Sequence, residues 1–117
     1  MIETARSLLV LFLVLLTVAT QADAGEWYEG GTLHKETAKE WHSATYENRL
    51  ATCSDFVTAS APKDTQDRLF SNNMTLLKVR SISLDICITK ATDDPSLMFM
   101  KVNEIAAACI VLLNYNL

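Results

Sequence analysis

The chain has 117 residues, with ten Lys and Arg against fourteen Asp and Glu and a formal net charge of −4. This length suits one small domain, and the acidic balance argues against a nucleic-acid partner, whose phosphates attract clustered basic side chains. Only three glycines occur, which leaves little room for a glycine-rich phosphate loop.

The first 24 residues have the three parts of a secretory signal peptide. A short polar start with Arg6 precedes an apolar run at residues 8–18, and residues 22–24 form an A-x-A cleavage pattern. The run is shorter than the roughly 20 residues of a membrane-spanning helix, although an uncleaved anchor remains the alternative. We predict a signal peptide at 1–24, a helical domain at 25–117, a periplasmic or secreted location and no membrane association after cleavage.

The exported part would need a covalent cross-link to be stable. Cleavage would remove Glu3, Arg6 and Asp23 from the charge count and leave 93 residues with a net charge near −3. A hydrophobic core of this size is marginal on its own. All three cysteines lie in this part, and compartments outside the cytosol favour disulfides. We therefore expect one intramolecular disulfide.

Residues 32–60 carry the clearest helical pattern. Thr37 and Glu40 form a T-x-x-E capping box, and the apolar positions further along recur every three or four residues. The stripe that starts at Trp41 does not continue smoothly to Leu50, so we expect a break near residues 43–46. The next stretch, 63–74, reads as a connection with one helical turn.

Residues 75–91 fit both a strand and a helix. Ile82, Leu84, Ile86 and Ile88 alternate with polar residues or cysteine, as in a strand. Seventeen residues without Gly or Pro exceed a usual strand, so we predict a helix. Asn103 then caps a last helix over 103–117. The fold class is all-α, a small single-domain bundle of three to four helices with one disulfide. The expected core residues are Trp41, Leu50, Val57, Leu84 and Ile105.

Two disulfide pairings compete. Loop entropy does not separate them, because the two loops differ by only about 0.4 kcal/mol in the chain-entropy model. If 75–90 and 103–115 form an antiparallel pair, Cys87 and Cys109 lie at similar heights, within the 5–6 Å Cα separation of a bridge. We favour Cys87–Cys109 and keep Cys53–Cys87 as the alternative.

Two resemblances bear on the origin of the chain. The segment TLHKETAKEWHSATYENRLATCSDF (32–56), with the later EIAAACIVLL, resembles a group of small uncharacterised exported bacterial proteins. This implies a bacterial, exported, helical domain. The TCSDF and VRSISLDIC segments are also similar to the HdeA/HdeB family of periplasmic acid-stress chaperones, and that resemblance implies a single disulfide between Cys53 and Cys87.

No catalytic or metal-binding constellation is evident. His34 and His42 are eight residues apart, about 12 Å along a helix, which is too far for one metal ion. Cys53 lies on an apolar helix face, where a thiol is poorly placed as a nucleophile. We therefore predict no catalytic residue, no metal site and no cofactor.

Aromatic residues offer the best candidates for a partner-binding site. Trp27, Tyr28, Trp41 and Tyr46 cluster in the N-terminal half, and aromatic side chains are enriched at protein interfaces. The alternative is that they fill a small core. We predict a small exported non-enzymatic binding or interaction protein with an unknown protein partner, and a homodimer stays open as an alternative. The alternative function is an HdeA-like acid-stress chaperone.

Overall fold

A computed structural model describes residues 25–71 and 74–113. Within these ranges the chain forms three longer helices, two short ones and a 3₁₀ turn at Pro95–Leu97. The all-α prediction is confirmed. The predicted signal peptide at 1–24 and the last four residues of the predicted final helix lie outside the described residues. In chain order the helices are α1 (Ala38–Ser43), α2 (Tyr46–Ser60), α3 (Lys63–Leu69), α4 (Thr75–Ala91) and α5 (Val102–Leu113).

The predicted capping box and the break after it are both present. The backbone N–H of Thr37 donates to the Glu40 carboxylate at 3.1 Å, and the Thr37 hydroxyl bonds to the same group. The bond from the Thr37 side chain lowers the pKa of Glu40 below its usual value. Helix α1 ends after six residues, and Thr45 begins α2 by accepting the Asn48 N–H at 3.2 Å. Two successive caps thus explain why the apolar stripe is interrupted at residues 43–46.

Residues 75–91 form helix α4 and not a strand. The buried side chains of α4 lie at helical spacing, with Leu77, Leu84 and Ile88 fully enclosed. The alternating residues that suggested a strand do not share one face, since Ile86 is exposed whereas Leu84 and Ile88 are buried. The length of this segment without Gly or Pro therefore predicted the helix correctly.

Trp41 is the largest fully buried side chain. Its indole N–H donates to the Thr89 hydroxyl at 3.1 Å, so α1 is anchored to α4 by a satisfied polar contact inside an apolar core. All five side chains expected in the core are buried, which confirms that prediction: Trp41, Leu50, Val57, Leu84 and Ile105.

The segment before α1 lies along α2 and is held by polar side chains of that helix. Asn48 accepts the Thr32 N–H and donates to its hydroxyl, both at 2.9 Å. Thr52 accepts the Leu33 N–H at 3.3 Å, and the Ser54 hydroxyl donates to the Tyr28 carbonyl at 3.1 Å. The sequence pattern indicated none of these long-range bonds.

Gly31 allows this close approach of the two backbones. A Cβ at residue 31 would lie 2.5 Å from the Thr52 nitrogen and 2.8 Å from the Ala51 carbonyl carbon. Backbone atoms of a helix cannot move aside as a flexible side chain can. A side chain at residue 31 would therefore clash with the backbone of α2. The backbone conformation of Gly31 is not the reason for the glycine, because its φ is not positive.

We expect Gly31→Ala to lower the free energy of unfolding by about 2 kcal/mol, within the range of overpacking substitutions. Gly25→Ala is the matched control, because a Cβ there meets the movable carboxylate end of Glu29. Urea unfolding followed by circular dichroism measures both variants. Equal stability of the two would show that the segment before α1 does not contribute to folding.

Candidate interaction surface

The disulfide joins Cys87 of α4 to Cys109 of α5, with 6.0 Å between the Cα atoms. This confirms the pairing favoured from the sequence. The alternative Cys53–Cys87 pairing is wrong, because Cys53 is a free thiol. The pairing implied by the resemblance to the HdeA/HdeB family is therefore not formed.

Cys53 is enclosed in the core near the ion pair of Arg49 with the buried Asp85. Burial is the main cause that raises the pKa of its thiol well above the usual value, and the Asp85 carboxylate raises it further. The Arg49 guanidinium acts in the opposite direction. A thiol that stays protonated and has no access to solvent cannot act as a nucleophile.

We expect Cys53 to resist alkylation by iodoacetamide at about pH 8 in the folded protein, where even an ordinary thiol is partly ionised. The same residue should react fully in denaturant. Asp93→Cys supplies an exposed thiol as the control and should react in both conditions. Mass spectrometry counts the added groups. Rapid labelling of the native wild type would mean that Cys53 is reachable from solvent.

The two histidines lie at separate places and each has its own partner. The His34 ring is 2.7 Å from the Asp55 carboxylate on α2, whereas His42 Nε2 lies 2.8 Å from the Thr92 hydroxyl. Thr92 donates its proton to the Ile88 carbonyl, so His42 Nε2 must be the donor in this pair. In residues 25–71 and 74–113, no group of three His, Cys, Asp or Glu side chains is arranged to hold a metal ion.

The four aromatic residues proposed for partner binding do not form one site. Trp41 belongs to the core and cannot reach a partner, which corrects its assignment to such a site. Trp27 and Tyr28 are half-buried and meet edge to face, with 5.5 Å between ring centroids. Tyr46 is exposed, with the Arg49 guanidinium 5.9 Å from its ring centre.

The most apolar exposed surface lies elsewhere, on helix α5. Ten of its twelve residues are apolar, and only Asn103 and Glu104 are polar. An amphipathic helix would turn a polar face to solvent. Here Val111 and Leu112 remain 62% and 77% exposed, while the opposite side packs into the core. The sequence of α5 lacks a polar face, and this feature alone would have indicated an exposed apolar surface.

Phe99 is the most exposed large hydrophobic side chain of the described residues, at 85%. Hydrogen bonds to α1 hold the backbone on both sides of Phe99. The Met98 carbonyl accepts the Lys39 N–H at 3.1 Å, and the Met100 carbonyl accepts the Ala38 N–H at 2.8 Å. The turn before it is closed by Asp94, whose carboxylate accepts the Ser96 N–H at 2.9 Å, a bond that lowers the pKa of Asp94.

An apolar groove lies between α2 and α5, and we call it the α2–α5 groove. Its volume is about 390 Å³. Among the lining residues that the structure describes, only Ser60 and Asn103 are polar. The full lining consists of Phe56, Ala59, Ser60, Asn103, Ala106, Ala107, Ile110 and Val111. Phe99 precedes the groove residue Asn103 by four residues along the chain.

Comparison of the chain with models of protein families, with curated proteins and with solved structures finds no match. In the part of the chain that the structure describes, no helix combines the length and the apolar character needed to cross a membrane. We use the term apolar surface for Phe99, Val111, Leu112 and the α2–α5 groove together.

Proposed function

We propose that this chain is a small exported, non-enzymatic binding protein that contacts a protein partner through its apolar surface. The observation that carries the proposal is the exposure of Phe99, at 85%, on a turn that two backbone hydrogen bonds hold against α1. Because the backbone on both sides of Phe99 is already held, little backbone entropy is lost when the ring binds a partner. Such residues are the usual anchors of protein interfaces.

The surroundings of Phe99 support an interface rather than a chance exposure. Single exposed apolar residues are common on soluble proteins, but Phe99 lies three residues before α5, which forms one wall of a groove with a largely apolar lining. Val111 and Leu112 extend the apolar surface along that helix. Contiguous apolar surface of this kind marks interaction sites.

Export is the second part of the proposal. The signal-like leader and the Cys87–Cys109 disulfide both support it, since such bridges persist mainly in oxidising compartments. The non-enzymatic part is supported by the surroundings of Cys53 and the two histidines. Cys53 is enclosed in the core, His34 pairs with Asp55, and the Thr92 hydroxyl beside His42 is buried and donates to the Ile88 carbonyl.

Photo-cross-linking in the exporting cell tests the proposal. Benzoylphenylalanine replaces Phe99 in one variant and Val79 in the control, because Val79 is 55% exposed on α4 and lies outside the apolar surface. We expect discrete cross-linked protein products from position 99 and none from position 79. No product from position 99, or the same products from both positions, would contradict the proposal.

An acid-stress chaperone is the second candidate function. The observation that favours it is the ion pair between Arg49 and Asp85, whose carboxylate is buried. Strong acid neutralises carboxylates and leaves the paired cation without its partner, which weakens the folded state and exposes apolar surface. We expect such a chaperone to suppress aggregation of a client at about pH 2 but not at neutral pH. A protein that stays folded and inactive in acid would exclude this role.

A further inference from the structure

We infer that removal of the predicted leader creates an ammonium group at Gly25, which binds a pocket of carboxylates at the start of the domain and fastens the first turn there. This inference rests on the exported part of the proposed function, because it needs the chain to be cleaved. In the cleavage, water adds across the peptide bond between Ala24 and Gly25. The products are a carboxylate on Ala24 and an ammonium on Gly25.

The pocket lies between the first described residues and the start of helix α2, and we call it the carboxylate pocket. Its volume is about 400 Å³. Among the lining residues that the structure describes, three are glutamates and none is basic. The lining consists of Gly25, Glu26, Trp27, Glu29, Gly30, Glu47 and Asn48. The side chain of Asn48 is already bonded to Thr32 through both its oxygen and its nitrogen, so the carboxylates are the groups left to receive a cation.

Gly25 already lies against one of these carboxylates. A Cβ at residue 25 would be 2.9 Å from Glu29 Oε2. With standard bond lengths, the Gly25 nitrogen is then within about 5.5 Å of that oxygen. The turn between the two residues is closed by the Glu29 N–H, which donates to the Glu26 carbonyl at 2.9 Å. An ammonium at Gly25 can therefore pair with Glu29 while this turn stays as it is.

An amino group suits this pocket better than a metal ion does. Across the ranges that the structure describes, no three acidic, histidine or cysteine side chains are grouped to hold a metal. The two ion pairs of these ranges lie elsewhere, so the three carboxylates have no basic partner among the described residues. An ammonium has three N–H donors and needs only one carboxylate at a time. Before cleavage, the same nitrogen is a neutral amide that brings no charge to the pocket.

The turn that the ammonium would fasten carries two contacts with the rest of the domain. Trp27 packs against the core, and the Lys78 ammonium on α4 lies 5.6 Å from its ring centre. Tyr28 meets Phe70 edge to face, with 6.1 Å between the ring centroids. The first residues of a domain are poorly ordered unless something ties them down. The new ion pair would add such a tie at the first residue of the mature chain.

Acylation of the Gly25 amine tests the inference on the protein as isolated from the exporting host. The ion pair should raise the pKa of the α-amino group above its usual value of about 7.7–8.0. Only the neutral amine reacts. Glu29 is exposed, and exposed ion pairs are weak, so we expect acetic anhydride at about pH 7 to react about threefold more slowly with the wild type than with Glu29→Gln. Mass spectrometry of the N-terminal peptide gives the rates.

Glu104→Gln is the matched control for this comparison. It removes the same charge from an exposed position on α5, outside the carboxylate pocket. Its Gly25 amine should therefore react as fast as that of the wild type.

The dependence of thermal stability on pH gives a second measure. Because the ion pair raises the pKa of the amine in the folded state, it contributes fully below about pH 7.7 and is lost as the pH rises through the folded value. The wild type should melt about 3 °C above Glu29→Gln at about pH 6, and this gap should close by about pH 10. The charged groups that line the pocket beside the amine are Glu26, Glu29 and Glu47, while Lys78 contacts the adjoining Trp27 ring.

Equal acylation rates in the wild type and Glu29→Gln, or a melting gap that does not change with pH, would overturn the inference. The mass of the isolated protein separates this result from failure of the proposed function. A chain that is exported but cut at another bond leaves the proposed function standing and overturns the inference. A chain that keeps its leader in the cytosol overturns the exported part of the proposed function as well.

Discussion

Replacing Arg49 with Met should lower the free energy of unfolding by about 3–5 kcal/mol, the cost of leaving one charge of a buried pair without its partner. Arg49 Nε donates to the Asp85 carboxylate at 2.8 Å, and the Asp85 side chain is only 8% exposed. Without the guanidinium, that carboxylate would be left beside the core thiol of Cys53 with little access to water. The arginine also donates to the Ala44 carbonyl at 3.3 Å, where α1 ends.

The double variant Arg49→Met with Asp85→Leu separates the cost of the unpaired charge from the cost of lost packing. Buried ion pairs can often be replaced by apolar residues of similar volume with little loss, so the double variant should recover most of the stability lost by Arg49→Met. Urea unfolding of the wild type, both single variants and the double variant gives the coupling free energy. A double variant no more stable than Arg49→Met would mean that packing, and not the unpaired charge, sets the cost.

The exposed pair between His34 and Asp55 is the natural comparison. Its two side chains are 36% and 49% exposed, and exposed ion pairs contribute less than about 1 kcal/mol. Asp55→Asn should therefore change stability far less than Arg49→Met, although the two pairs have nearly the same separation, 2.7 and 2.8 Å.

The helices and the core could be predicted because they depend on local patterns. The cap at Thr37 and the length of residues 75–91 are visible in the chain, whereas the expected cap at Asn103 is wrong, because α5 already begins at Val102. The disulfide could also be chosen, since the expected positions of Cys87 and Cys109 along their helices made one pairing geometrically easier. The expected interior residues, from Trp41 to Ile105, are large apolar side chains at helical spacing, and such residues have few alternatives to burial.

The interaction surface could not be predicted because it depends on contacts between distant parts of the chain. Phe99 lies in a turn where sequence alone gives no preference between inside and outside. Two hydrogen bonds to the start of α1, more than fifty residues earlier, hold the backbone on both sides of Phe99, and its ring is exposed. The ion pair of Arg49 with Asp85 is likewise a contact across 36 residues.

Reduction of the disulfide should lower the free energy of unfolding by about 3 kcal/mol, because the bridge closes a loop of about 23 residues in the unfolded chain. The two cysteines are 22 residues apart, and Cys109 is buried. Comparing oxidised protein with the Cys87→Ser, Cys109→Ser double variant gives a second estimate, which also includes the cost of changing a buried side chain. Urea unfolding with and without dithiothreitol measures the first.

Cys53→Ala provides the control that assigns the effect to the bridge. Its thiol belongs to the core and to no disulfide, so this variant should lose some packing free energy yet keep the same difference between oxidised and reduced forms. A domain of this size buries a smaller fraction of its surface than a larger one, and a loss of about 3 kcal/mol is a large part of its stability. The reduced protein should therefore unfold at a much lower urea concentration. Equal unfolding of both forms would mean that the helices hold together without the bridge, and would remove the physical reason for placing this domain in an oxidising compartment.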